Sequence, residues 1–283
     1  MTTNGKSRWN PRSITTYAAL GTAILGLGGY IYARQIEPNR VDINHYSLKF
    51  ANLAPEFKGY RLVQISDIHA DGWMTRNRVA DIIKIVNSLN PDLIAITGDF
   101  VTYESTSHMD WLAVELGKLK AQDGVFAVLG NHDHWSGADQ VRKGLKDGGV
   151  IELQNSYHTL TRGEAVLHIA GIDSHYIGMA RIDTLVEKIP DKGFAILLAH
   201  EPDFADLAAA TGRFELQLSG HSHGGQIHIP ILAKPFLPYY GKKYPRGMYQ
   251  INGMKLYTNR GLGMIHLPLR FNARPEIAVF TLE

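Results

Sequence analysis

The sequence predicts an α/β protein, because short apolar runs rich in β-branched residues alternate with stretches of helical periodicity, and the runs stop at Gly, Asn or Asp. Taken in order, the first element is of another kind. Between Arg12 and Arg34 lie 21 residues without a charge, with Tyr17, Tyr30 and Tyr32 near the ends. That length suits a bilayer-spanning helix over residues 13–33, preceded by a cytoplasmic segment 1–12 and followed by one domain, 34–283. Gly21, Gly26, Gly28 and Gly29 dilute the segment, so a cleaved export signal is the competing reading. Lys6, Arg8 and Arg12 before the segment, against Arg34 and Arg40 after it, favour a cytoplasmic N-terminus. The expected location is the cell inner membrane, single-pass, with the main domain on the outer (periplasmic) face.

Five apolar runs then read as strands: Leu62–Ile65, Leu93–Ile96, Val125–Leu129, Phe194–Leu198 and Leu216–Leu218. Helices are expected at Arg76–Leu89, Met109–Leu119, Gly137–Lys146, Ile182–Ile189 and Asp203–Ala210. Strand and helix in alternation imply parallel pairing, whereas the strand-rich stretch Val150–Ile172 and the C-terminal run Glu276–Leu282 suggest a second sheet.

Each of the five runs ends on a polar cluster: Asp67-Ile68-His69, Gly98-Asp99, Gly130-Asn131-His132-Asp133, His200, and Gly220-His221-Ser222-His223-Gly224-Gly225-Gln226. Ligands of open α/β sheets bind at the carboxyl ends of strands, so distant strand ends can share one site. Singly, Gly98-Asp99 also reads as a turn and His200 as a core histidine. Together the clusters supply the carboxylates, imidazoles and amide that bind two divalent metals beside a phosphate. Mixed nitrogen and oxygen ligation suits Mn, Fe or Zn better than Ca or Mg.

Asp-x-His, Gly-Asp, Gly-Asn-His-Asp, a lone His and Gly-His-x-His, in that order, resemble the calcineurin-like metallophosphoesterases, from about Val41 to the end. The start Gly59–His69 is similar to a membrane-associated bacterial subgroup of phosphodiesterases. The resemblance implies a four-layer αββα sandwich of two mixed sheets. It implies that Asp67, His69 and His223 hold one metal, that Asn131, His200 and His221 hold the other, and that Asp99 bridges them. His132 would contact the phosphate and protonate the leaving oxygen, with Asn131 and Arg260 as further substrate contacts. In the related Ser/Thr protein phosphatases that histidine is paired with the second Asp of Gly-Asp-x-x-Asp; Thr102 stands there in this chain. Asp133 is a substitute partner or a cap for a helix beginning near Ser136, and His134 is a substrate contact or an idle loop residue.

The implied function is hydrolysis of a phosphate ester, a phosphodiester for preference, by a hydroxide bridging two metals, on a lipid-linked or envelope substrate. Some relatives cleave the pyrophosphate of UDP-2,3-diacylglucosamine in lipid A synthesis, which is the alternative activity. A non-catalytic metal- or anion-binding membrane protein is the competing class. From Pro230 to Tyr249, aromatics interleave with Lys234, Lys242, Lys243 and Arg246, a loop suited to lipid headgroups or an anionic substrate. Net charge is only +2 with no basic stripe, so no nucleic-acid partner is expected. The absence of cysteine is compatible with an oxidising exterior.

Overall fold

The computed structural model describes residues 11–102, 107–229 and 236–283. Helix α1 (Pro11–Ile31) leads through two short helical turns into strand β1 (Asp42–Leu48), then β2 (Arg61–Ile65), α2 (Arg76–Ser88), β3 (Leu93–Thr97), α3 (His108–Leu116) and β4 (Val125–Val128). There follow α4 (Asn131–Asp147), β5 (Ile151–Glu152), β6 (Ser156–Arg162), β7 (Ala165–Gly171), α5 (Ile182–Lys188) and β8 (Phe194–Leu198). The chain ends with α6 (Ala205–Ala210), β9 (Leu216–Ser219), β10 (Gly247–Ile251), β11 (Met254–Thr258) and β12 (Glu276–Leu282).

Two six-stranded mixed sheets result, in the orders β1-β12-β2-β3-β4-β5 and β10-β11-β9-β8-β7-β6. They pack face to face through one apolar layer, in which Leu62, Phe126 and Phe280 of the first sheet meet Leu167, Ile196 and Leu216 of the second. Helices α2, α3 and α4 cover the outside of the first sheet, with Val79, Ile83 and Val86 of α2 turned inward. Helices α5 and α6 cover the second. Buried on both faces, the central strands need continuous apolar runs, which is why those runs were legible.

Strand β12 joins the first sheet rather than the second. It lies parallel to β1 and antiparallel to β2. Ala278 and Phe280 enter the layer between the sheets while Ile277 and Val279 face the helices, so the strand needs cover on both sides and takes an interior position. Helix α4 also starts earlier than expected. It begins at Asn131 and kinks at Gly137 (φ 124°, ψ 86°), so the helical pattern after Gly137 is only its second part.

The membrane-spanning expectation is corrected. A helix forms at the expected place and its apolar side chains are exposed, Leu25 by 78%. Yet no helix among the described residues is long and apolar enough to cross a membrane. The 21 residues of α1 give sufficient length; four glycines with Thr15, Thr16 and Thr22 lower its apolar content. Freedom from charge is a weaker property than hydropathy, and the expectation rested on the former. The helical turn that follows α1 is seated on the domain, where Arg270 donates its backbone N–H to Ala33 O and Tyr32 packs edge-on against Phe271. Residues 1–10, with Lys6 and Arg8, lie outside the described residues.

Candidate metal centre

The five polar clusters come together at one edge of the sandwich. Asp67 and His69 follow β2, Asp99 follows β3, Asn131 and His132 open α4 directly after β4, His200 follows β8, and His221 and His223 follow β9. The first five residues therefore belong to one sheet and the last three histidines to the other. Hydrogen bonds stitch the seam: His221 N donates to both carboxylate oxygens of Asp67 at 3.0 and 3.1 Å, and Gln64 Nε2 reaches Ser219 O at 3.0 Å. Close approach demands glycine at position 220, where an added Cβ would sit 1.9 Å from Ser66 Oγ and 2.2 Å from Asp67 Oδ2.

Backbone torsions mark the same residues. Asp67, His69, Asp99, His221 and His223 all have positive φ, between 48° and 70°. Left-handed torsions at non-glycine residues cost energy and persist only where packing over-determines them. Here they turn five side chains inward at the strand ends.

Two buried trios result, Asp67 with His69 and His223, and Asp99 with His200 and His221, the ligand atoms of each lying within 4.8 Å of one another. Asp99 faces both. Its Oδ2 is 3.5 Å from His69 Nε2 and 3.1 Å from His200 Nε2. Burial drives His69 down to about 3 and His221 to about 4, and holds His223 well below its ordinary value, so all three imidazoles are neutral near pH 7. Asp67 is lifted to about 7 by burial. Burial also acts on Asp99, but the facing His200 and His132 prevail and hold it well below the usual carboxylate range.

The residues fit divalent ions on two further observations. Asn131 Oδ1 is buried with no hydrogen-bond partner among the described residues, a state that costs about 1–3 kcal/mol unless a cation takes it up. The outer nitrogens of two histidines are tied to backbone carbonyls, His200 Nδ1 to Thr97 O at 2.7 Å and His221 Nε2 to Tyr239 O at 2.8 Å. Bonds of this kind fix the ring orientation and leave the inward nitrogen to face an ion, as a lone pair on neutral His221 and, on His200, where Asp99 outweighs burial and raises the pKa, once an ion displaces its proton.

Residues 60–225 match the family of calcineurin-like phosphoesterases. The chain belongs to that family. It is 39% identical over 264 residues to the uncharacterized metallophosphoesterase YkuE of Bacillus subtilis (strain 168), covering 92% of each chain. It is 27% identical over 270 residues to the phosphodiesterase YaeI of Escherichia coli (strain K12), covering 93% of this chain and 96% of that one. A transmembrane protein with metallophosphoesterase domain from Danio rerio is 31% identical over 283 residues, 95% of this chain and 62% of its own. The protein is a metal-dependent phosphoester hydrolase, and its family uses divalent metals.

Within this family frame, Asp133 takes the capping role and has no oxygen left for the ring of His132. One oxygen accepts from Gly130 N and Asp99 N, the other from Phe100 N and Val101 N. A single carboxylate thus closes the first turn of α4 onto the loop that carries Asp99. Asp133→Asn sets an NH2 against some of those donors. We expect a stability loss of about 2–3 kcal/mol by denaturant titration, together with reduced metal content by elemental analysis.

The ring of His132 lies edge-on to His69 and to Trp135, with centroids at 4.9 and 5.0 Å. His134 turns away from the groove and pairs with buried Asp173 at 2.7 Å, whose other oxygen takes Arg142 and Gln154. Arg260 is placed elsewhere too. Its guanidinium binds Glu276 and Asp42, each at 3.1 Å, and lines a separate polar cavity. Of the basic-aromatic loop, Lys234 and Pro235 lie outside the described residues; Lys243 pairs with Asp206 on α6, and Tyr239 and Lys242 reach the groove above the metal ligands. That groove encloses about 490 Å³. Sequence reasoning missed Trp135, Tyr176 and His266 in its walls. Only Trp135 had a signal, since a helix starting at Asn131 puts residue 135 one turn on, over the same edge.

Proposed function

We propose that this enzyme is a phosphodiesterase that hydrolyses its substrate with two divalent ions held by the seven residues Asp67, His69, Asp99, Asn131, His200, His221 and His223. The observation that carries the reading is Asp99, a buried carboxylate facing two ligand trios at once on the floor of a groove. When bound, the ions neutralise phosphate charge and lower the pKa of coordinated water.

The chain's own groups do the rest. Asp99 Oδ1 accepts the backbone N–H of His132 in the first turn of α4, where the helix dipole favours an anion, so the carboxylate stays charged and fixed. Asn131 lies beside it with a free amide oxygen. His132, the next residue, delivers its proton to the departing alkoxide. Such proton transfer assists rates by about 10²–10⁴-fold.

A diester suits the groove better than a monoester does. Besides the charge the ions would bring, the only Lys or Arg among its described residues is Lys242, so the groove has no clamp of several cations for a terminal phosphate. Monoester dianions call for more, as in sites that clamp phosphate with several Arg or Lys. The test is hydrolysis of bis-p-nitrophenyl phosphate against p-nitrophenyl phosphate by metal-stripped protein reconstituted with manganese. Faster turnover of the diester is expected; a preferred monoester would end the diester reading. Because a cation bound only by the folded state adds about 2.7 kcal/mol at a hundred times its dissociation constant, the same reconstitution should raise the melting temperature.

A further inference from the structure

We propose that the groove carries a subsite for an apolar group on the alcohol side of the diester, formed by Trp135, Tyr176 and Leu267. This rests on the phosphodiesterase reading above and adds the substrate class. Trp135 lies against His132 at 5.0 Å between ring centroids, and Tyr176 lies against Trp135 at 5.3 Å with the planes at 89°. An aromatic path therefore runs outward from the residue that protonates the leaving oxygen. Tyr176 also meets His221 at 6.0 Å and Tyr239 at 6.5 Å, which extends the path around the groove.

These side chains are exposed without need. Trp135 is 42% exposed, Tyr176 38% and Leu267 57%, all around one opening above buried polar residues. Scattered exposed apolar residues require no explanation, but a contiguous apolar rim on a ligand groove marks a binding surface. The rim is braced. Gln226 donates to Ile265 O and Leu267 O, both at 2.9 Å, and accepts from Ile265 N at 2.9 Å, so the wall holding Leu267 is tied to the turn that follows His223.

The reaction places the occupant. Water gives a proton to solvent and its oxygen forms the new bond to phosphorus, the bond from phosphorus to the alcohol oxygen breaks, and that oxygen keeps the electron pair and takes the His132 proton, which solvent replaces. The products are a phosphomonoester and an alcohol. An alcohol leaving from beside His132 has its carbon framework on Trp135 and Tyr176. An aryl ring and an alkyl chain share the required chemistry.

The test compares wild type, Trp135→Ala and Leu267→Ser, loaded with manganese, on dimethyl, methyl phenyl and methyl decyl phosphate followed by phosphorus NMR. Dividing each variant's kcat/KM by that of wild type cancels the intrinsic reactivity of the esters. We expect a loss of about 10–100-fold on the phenyl or decyl ester and less than about twofold on the dimethyl ester. A loss confined to phenyl identifies an aromatic alcohol, and one confined to decyl identifies a lipid. Leu267→Ser, at a position more than half exposed, keeps the test open if Trp135→Ala fails to fold. An active wild type whose variants lose the same factor on all three esters overturns the subsite alone. A wild type inert on all three overturns the subsite together with the phosphodiesterase reading beneath it.

Discussion

Asp99→Asn should abolish hydrolysis of bis-p-nitrophenyl phosphate, and added manganese should not restore it. Losing an outer partner of a metal ligand already costs about 10–100-fold in affinity or activity, and Asp99 faces both trios directly, so the loss should exceed about 100-fold. The asparagine is nearly isosteric, but it removes the negative charge and turns an NH2 toward His69, His200 or the His132 N–H. Metal analysis should show fewer than two ions per chain. A variant with full biological activity and no hydrolysis would instead favour the non-catalytic class, in which metals serve structure or anion sensing.

His132→Ala should separate proton delivery from metal binding. The imidazole belongs to neither trio, so both ions should remain. With poor leaving groups such as alkyl alcohols, kcat should fall by about 10²–10⁴-fold, because the departing alkoxide then lacks its proton donor. With p-nitrophenolate, which departs as a stable anion, the loss should be much smaller. Equal losses on both kinds of ester would remove His132 from the acid role and leave it a phosphate contact or a wall.

Much of this was legible because the ligands stand where buried strands end. A parallel strand covered on both faces must be apolar throughout, so the polar residues after Ile65, Thr97 and Leu198 stand out against it. Three things were hidden. Strand β1 lies at the sheet edge with Ile43 exposed and Asp42 and Asn44 half-buried, so it carries no apolar run to announce it. The β10–β11 hairpin turns on Asn252-Gly253, both at positive φ, a recognisable turn pair, but the Pro- and aromatic-rich approach as far as Tyr249 reads as loop. Tyr176 and Leu267 carry no local pattern at all, since their nearness to His132 is set only by how the sheets stack.

Each trio draws on both halves of the sandwich: Asp67 and His69 with His223 across the seam, Asp99 with His200 and His221. An ion in either place is therefore also a rivet. The oily filling between the sheets, with Phe280 edge-on to Tyr257, becomes a gauge block that sets how far the opposing jaws stand apart. Hollowing that filling, at a distance from the catalytic edge, would let the jaws drift and loosen the grip on metal while the chain is still folded.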